Sequence, residues 1–208
     1  MLITDLQYFG CISYIKELFS SDQVAFDNTA PFSKMSFKNR MVIASAQGPL
    51  HLTIPIVGGR DQKTPLDQIA ISYDTPWHEQ HVKAIITNYK RSPFLEYYID
   101  SLELVYKTKP ENLLAFLALS HDWIKKQLKG NWEEIELSTT TKDNTSIGIQ
   151  NVRTFHPWLP NNFNNYPIPF AYQQVFEERT SFIPNLSILD LLFCCGGKQA
   201  ASLLKIAK

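Results

Sequence analysis

Residues 36–56 read SFKNRMVIASAQGPLHLTIPI, and this stretch decides the fold. Its second half alternates: Leu50, Leu52, Ile54 and Ile56 point one way, and His51, Thr53 and Pro55 point the other. A period of two predicts a half-buried strand. Ahead of it, Arg40 to Ser45 forms a second apolar run, and Ala46-Gln47-Gly48-Pro49 separates the two. A Gly-Pro turn between strand-like runs predicts a β-hairpin over about 40–56. At its start stand Lys38, Asn39 and Arg40. Arginine offers a planar fork of donors suited to carboxylate or phosphate, and asparagine brings a donor and an acceptor.

Towards the N-terminus, Leu2 to Thr4 predicts a short strand, Cys11 to Phe19 a helix with Ile12, Ile15, Leu18 and Phe19 at helical spacing, and Val24 to Phe26 a buried strand. Strand, helix and strand in this order make a minimal βαβ unit. Beyond the hairpin, residues 58–63 (Gly-Gly-Arg-Asp-Gln-Lys) read either as a solvated connection or as an anion-binding loop using Arg60 and Lys63. Alternation at Ile69, Ile71 and Tyr73 predicts another strand.

Asp74-Thr75-Pro76 predicts a helix start, with Asp74 as cap and Pro76 at the first helical position. That helix runs to about Tyr89 and carries Trp77, His81, Ile85 and Tyr89 as one stripe. A second helix spans Phe94 to Tyr106, and a capping box of Thr108 with Glu111 predicts a third, running to Lys129. Glu134 to Leu137 reads as a strand. The polar stretch 138–151 and the Pro/Asn-rich stretch 154–170 read as an ordered loop or lid. Pro184-Asn185 opens a helix that Gly196-Gly197 ends, and a short helix closes the chain.

Composition narrows the function. The 208 residues suit a single domain over 1–208, and 20 basic residues balance 20 acidic ones. Such a balance gives no footprint for nucleic acid or for an anionic membrane surface. The opening residues lack the basic region of a signal peptide, and Leu186 to Cys195 is about half of the roughly 20 residues a membrane span needs. Three cysteines without metal spacing imply a reduced, cytoplasmic protein.

His78 and His81 in WHEQH share a helix face, but their spacing of three misses the zincin pattern and no metal is expected. His81 reads either as a satisfied core histidine or as a general base. There is no GxSxG, P-loop or GxGxxG, so no nucleophile elbow and no cofactor are expected. Asp190, set among leucines, must find donors if buried, and reads as a structural acceptor. The 26 aromatic residues (nine Tyr, thirteen Phe, four Trp) fit core packing, with sugar or base stacking as the alternative.

Several stretches together resemble the WbqC-like family of bacterial proteins. They are Tyr8-Phe9 with Ile12-Ser13-Tyr14, the hairpin sequence itself, ISYDTPWHEQHVKAIITNYKRSPFLEYY, AYQQVF and FIPNLSILDLLF, in the family's order. Gly10 and Cys11 depart from the prolines usual at those positions. The resemblance implies cell-surface polysaccharide (O-antigen) biosynthesis and a transferase-type enzyme acting on an activated sugar or acyl donor, with acylation of an amino sugar as one such reaction. It implies His81 as catalytic base and Asn39, Arg40, Trp77, Tyr89 and Gln174 as substrate-binding residues. The alternative is a non-catalytic sugar- or partner-binding protein of the same pathway. The opening also resembles that of nucleotidylyltransferases, without their HxGH pair. The expected fold is α/β: a mixed sheet around the hairpin, helices packed on it and a helical C-terminus. No oligomeric state is assigned.

Overall fold

The computed structural model describes residues 1–28, 32, 36–58, 64–136, 153–154, 160–166 and 168–205. Arg60, Lys63 and the polar stretch 138–151 lie outside these residues, as do 155–159 and 167 of the Pro/Asn-rich stretch.

The predicted βαβ opening forms. Strand β1 (Leu2–Thr4) leads through a loop to helix α1 (Ile12–Phe19), which returns to strand β2 (Gln23–Phe26). Ile12, Ile15 and Leu18 bury the inner face of α1 completely. β2 lies parallel to β1, with Leu2 opposite Val24 and Thr4 opposite Phe26. Two later strands extend this sheet: β5 (Glu133–Ile135) on the outer side of β2 and β6 (Arg153–Thr154) on the outer side of β1. The order is β5-β2-β1-β6 and every pairing is parallel.

The hairpin also forms, as β3 (Arg40–Ser45) and β4 (Gly48–Thr53), with Arg40 opposite Thr53 and Ser45 opposite Gly48. Its turn is Ala46-Gln47, and Gly48 opens β4 at φ +107°, a conformation open to glycine at little steric cost. Met41 to Ala44 are buried on both faces, whereas His51 and Pro49 of β4 are exposed.

The strands divide between two small sheets, with the hairpin beside the parallel sheet and not within it. The reason lies at the outer edge of β3. Ser187 donates its backbone N–H to the Val42 carbonyl (2.8 Å), and the Ala44 N–H donates to the Tyr89 hydroxyl (3.0 Å). Helical elements thus satisfy the edge groups that a further strand would need.

Over the sheets pack α2 (Trp77–Tyr89), α3 (Leu95–Lys107), α4 (Leu113–Leu128) and α6 (Ile188–Lys205), with a single-turn α5 (Glu177–Thr180) before the last. α6 breaks at Gly196 (φ 73°, ψ 158°), the stop its sequence announces. The alternation at 69–73 makes only single bridges, Ile56 with Ile71 and Ala70 with Asn112. Pro76 itself is the cap position of α2, while Asp74 accepts from the Ser72 hydroxyl. The capping box does not form. Asn112 Oδ1 caps α4 by accepting from the Ala115 N–H (2.9 Å), and Thr108 instead donates to the Val105 carbonyl at the end of α3. No helix among the described residues is long and apolar enough to cross a membrane.

Candidate functional site

In an open parallel sheet, ligands gather beyond the carboxyl ends of the strands, where neighbouring connections leave in opposite directions. Here β1 has β2 on one side and β6 on the other, so that place is the loop after β1, Asp5 to Gly10. The loop is fastened to the root of the hairpin, since the Tyr8 N–H donates to the Phe37 carbonyl (2.9 Å).

Two charged side chains pair there, and a third polar side chain lies in the same loop. Lys38 Nζ lies 3.4 Å from Asp5 Oδ2, with the lysine side chain 3% exposed and the aspartate 19%. Burial raises the Asp5 pKa, the Lys38 ammonium opposes that rise, and Asp27 adds to it. Gln7 is buried and its Oε1 has no hydrogen-bond partner. Gly10 is required beside them: a Cβ there would stand 2.4 Å from the Tyr14 ring and 3.2 Å from Gln7 Oε1. A loop that carries a largely desolvated ammonium–carboxylate pair and an unpartnered amide oxygen is equipped to recognise a polar or anionic ligand.

The residues singled out from the sequence fall in three neighbourhoods. At the hairpin root, Arg40 is half-buried, and no described carboxylate forms an ion pair with it. Its charge, after burial, helps hold the His51 pKa below the usual value. Asn39 is buried and works as a latch. Its Nδ2 donates to the Ile54 carbonyl (3.0 Å), and its own carbonyl accepts from the Ile54 N–H (2.8 Å).

His81 and Trp77 sit in an aromatic cage. His81 is 5% exposed, its Nδ1 is 2.7 Å from the Tyr8 hydroxyl, and that hydroxyl bonds the hydroxyl of Tyr106. The tautomer that satisfies all its contacts carries the proton on Nε2, towards the Thr53 carbonyl, and accepts at Nδ1. Trp77 packs edge-on to His81 and Phe116, with ring centroids 5.2 and 5.5 Å away. Burial, then the nearby His78, pushes the His81 pKa down to about 4.

This shift sets a pH dependence. The unfolded chain takes up a proton near pH 6.5, and the folded protein declines it until about pH 4, so stability falls as pH drops through that window. The loss is about 3 kcal/mol. We expect urea midpoints to fall between pH 7 and pH 4.5, and to fall less in His81→Gln, whose amide can keep both hydrogen bonds without titrating. Identical slopes in the two proteins would refute the assignment. Comparing the slopes cancels the carboxylates: Asp5 and Asp190 with raised pKa, and Glu134, held at about 2 chiefly by His121.

Tyr89 and Gln174 lie in the third neighbourhood, around Asp190. The Asp190 carboxylate is fully buried and accepts from the Tyr89 hydroxyl (2.7 Å), the Tyr172 hydroxyl (2.6 Å) and Gln174 Nε2 (3.2 Å). Gln174 also clamps residue 183, donating to the Ile183 carbonyl and accepting from its N–H.

Burial pushes the thiols of Cys11 and Cys195 up to about 11 and that of Cys194 higher still, so none is a thiolate near neutrality. No group of three metal-ligating side chains occurs among the described residues. The N-terminus of α1, where a βαβ unit can hold a phosphate, is already occupied. The Ile12 N–H donates to the Leu186 carbonyl, and the Ser13 N–H and hydroxyl both donate to Asn185 Oδ1 (2.8 and 2.6 Å). Asn185 is held for this at φ 57°, and its Nδ2 donates to the Phe163 carbonyl.

Sequence reasoning passed over Asp5 and Gln7. Their only local sign is polar character directly after the first strand of a βαβ unit, which does not set them apart from other loop residues.

Comparison with known proteins adds one match. The model of the WbqC-like protein family matches residues 7–155. No curated protein and no solved structure matches the chain. The matched stretch takes in Gln7, Lys38, Arg40 and His81, and leaves Gln174 and Asp190 outside.

Proposed function

Since the chain belongs to the WbqC-like protein family, we propose that it is a transferase-type enzyme of cell-surface polysaccharide biosynthesis, acting on an activated sugar or acyl donor. The observation that carries this reading is the Lys38–Asp5 pair at the end of β1, its lysine buried, in the loop that also holds the unpartnered Gln7 oxygen. In this reading Arg40 and Lys38 hold the anionic group of the donor. Asp5, with its raised pKa, takes the proton from the attacking amine or hydroxyl. Asn39 and His81 act as positioning residues. The first fixes the hairpin root and the second fixes the Tyr8 loop against α2. Trp77 walls in His81, and Tyr89 and Gln174 hold the C-terminal segment in register.

A thermal-shift screen of nucleotide sugars, free nucleotides, acyl-CoA species and amino acids tests the placement. A ligand at about 100 times its Kd adds about 2.7 kcal/mol, which raises the midpoint by roughly 5–10 °C for this size. We expect one class to produce that shift and Arg40→Ala to lose it. A shift that survives the substitution would move the site elsewhere. Binding without product from any donor and acceptor pair would favour a non-catalytic sugar- or partner-binding protein.

A further inference from the structure

Between α2 and α3 lies an open groove of about 290 Å³ lined only by residues of those two helices. Its volume sits at the lower edge of small-ligand pockets, about 300–1,000 Å³. The floor is apolar, made by Val82, Ile86 and the ring of Tyr106. Ile86 is 36% exposed.

At the wall of the groove sits His78, 8% exposed, and neither of its ring nitrogens has a hydrogen-bond partner. The nearest charge is Glu79, whose Oε1 is 3.6 Å from Nε2. Buried polar groups are nearly always paired, so an imidazole in this state has capacity for a ligand. The rim adds charge. Glu103 is engaged by Lys107 at 2.9 Å, while Lys83 on the rim forms no ion pair among the described residues. The charges lining the groove balance, two lysines against Glu79 and Glu103, but Lys107 is taken by Glu103, which leaves the Lys83 ammonium as the one not paired.

We infer that this groove binds a medium-chain aliphatic carboxylate, with the chain against Val82, Ile86 and Tyr106 and the carboxylate accepting an N–H of His78. The apolar floor selects an aliphatic chain, the unpaired Lys83 ammonium selects a negative end group, and the unpartnered imidazole supplies its donor. The inference is independent of the transferase reading, because it holds whether or not a donor is turned over at the hairpin root.

Titration calorimetry with sodium octanoate, 1-octanol and octylamine tests it. Saturable one-to-one binding is expected, with octanoate tightest and octylamine weakest. Ile86→Glu, at a position exposed enough to leave folding intact, should weaken octanoate at least tenfold with an unchanged unfolding midpoint in the absence of ligand. His78→Phe should weaken octanoate at least fivefold while leaving 1-octanol unaffected. Absence of saturable binding overturns the inference. So does octylamine binding as tightly as octanoate, or an octanoate affinity indifferent to Ile86→Glu. Sedimentation showing that wild type self-associates and Ile86→Glu does not would assign the groove to a second copy of the chain instead.

Discussion

Asp190→Ala is expected to destabilise the protein by about 4 kcal/mol, the sum for two buried hydroxyl donors left without an acceptor. The carboxylate is the acceptor for the hydroxyls of Tyr89 and Tyr172 and for Gln174 Nε2. Each buried donor left without a partner costs about 1–3 kcal/mol. Gln174 keeps the Ile183 carbonyl as a second acceptor, so the two tyrosines carry most of the loss. The damage spreads, because the Tyr89 hydroxyl also receives the Ala44 N–H at the edge of β3. Asp190→Asn keeps one acceptor oxygen and should cost less than half as much. Chemical denaturation checks both, and equal effects of the two substitutions would show that side-chain volume, not acceptor capacity, matters at this position. The pH sign is fixed too. Burial raises the Asp190 pKa, so the folded state holds its proton more tightly and stability from this group falls as pH rises above the usual carboxylate range.

Asp5→Asn is expected to lower turnover by 10²–10⁴-fold, the usual worth of a positioned general base. The amide keeps the volume of the carboxylate and an oxygen for Lys38, so ligand-induced stabilisation should survive within about twofold in affinity. The split between binding and turnover is the informative result. Parallel losses in both would make Asp5 a binding partner of Lys38 alone, and unchanged turnover would remove it from the proton-transfer role. The pH profile supplies a second readout: the acid limb of kcat/KM should vanish in Asp5→Asn.

The elements legible in the sequence are those whose signal is local. The period of two in 50–56, the apolar runs of β1, α1 and β2, and the glycine break in α6 are each set within a few residues; each is found, although β4 ends at Thr53, before the alternation does. The α/β class follows from them. Asp190 was legible by a different logic: a carboxylate among leucines must find donors, and it does. Thr108 shows the limit of short motifs, since Asn112 lies closer to the first turn of α4 and wins the cap.

What was not legible depends on partners distant in the chain. The stripe of Trp77, His81 and Tyr89 is a correct helix face, yet His81 meets Tyr8 and Tyr89 meets Asp190, 73 and 101 residues away. Spacing along one helix reveals that a side chain faces inward, not what it faces. The division into two sheets is likewise decided by Ser187 and Tyr89 at the edge of β3. Asp5 and Gln7 look like ordinary loop residues until β6, some 150 residues on, pairs with β1 and makes their loop the meeting point of two directions of winding.

The joint between Asn185 and the start of α1 governs when this protein can fold during its synthesis. The first helix emerges early, but the side chain that completes its N-terminus is encoded 172 residues later. At about 5–20 residues per second, a ribosome takes on the order of ten to thirty seconds to bridge that interval. Throughout it, the nascent βαβ segment carries an open helix end and uncovered apolar faces. Nascent chains stalled before residue 185 should therefore remain protease-sensitive and bind chaperones, and protection should appear only once Asn185 and Leu186 clear the exit tunnel.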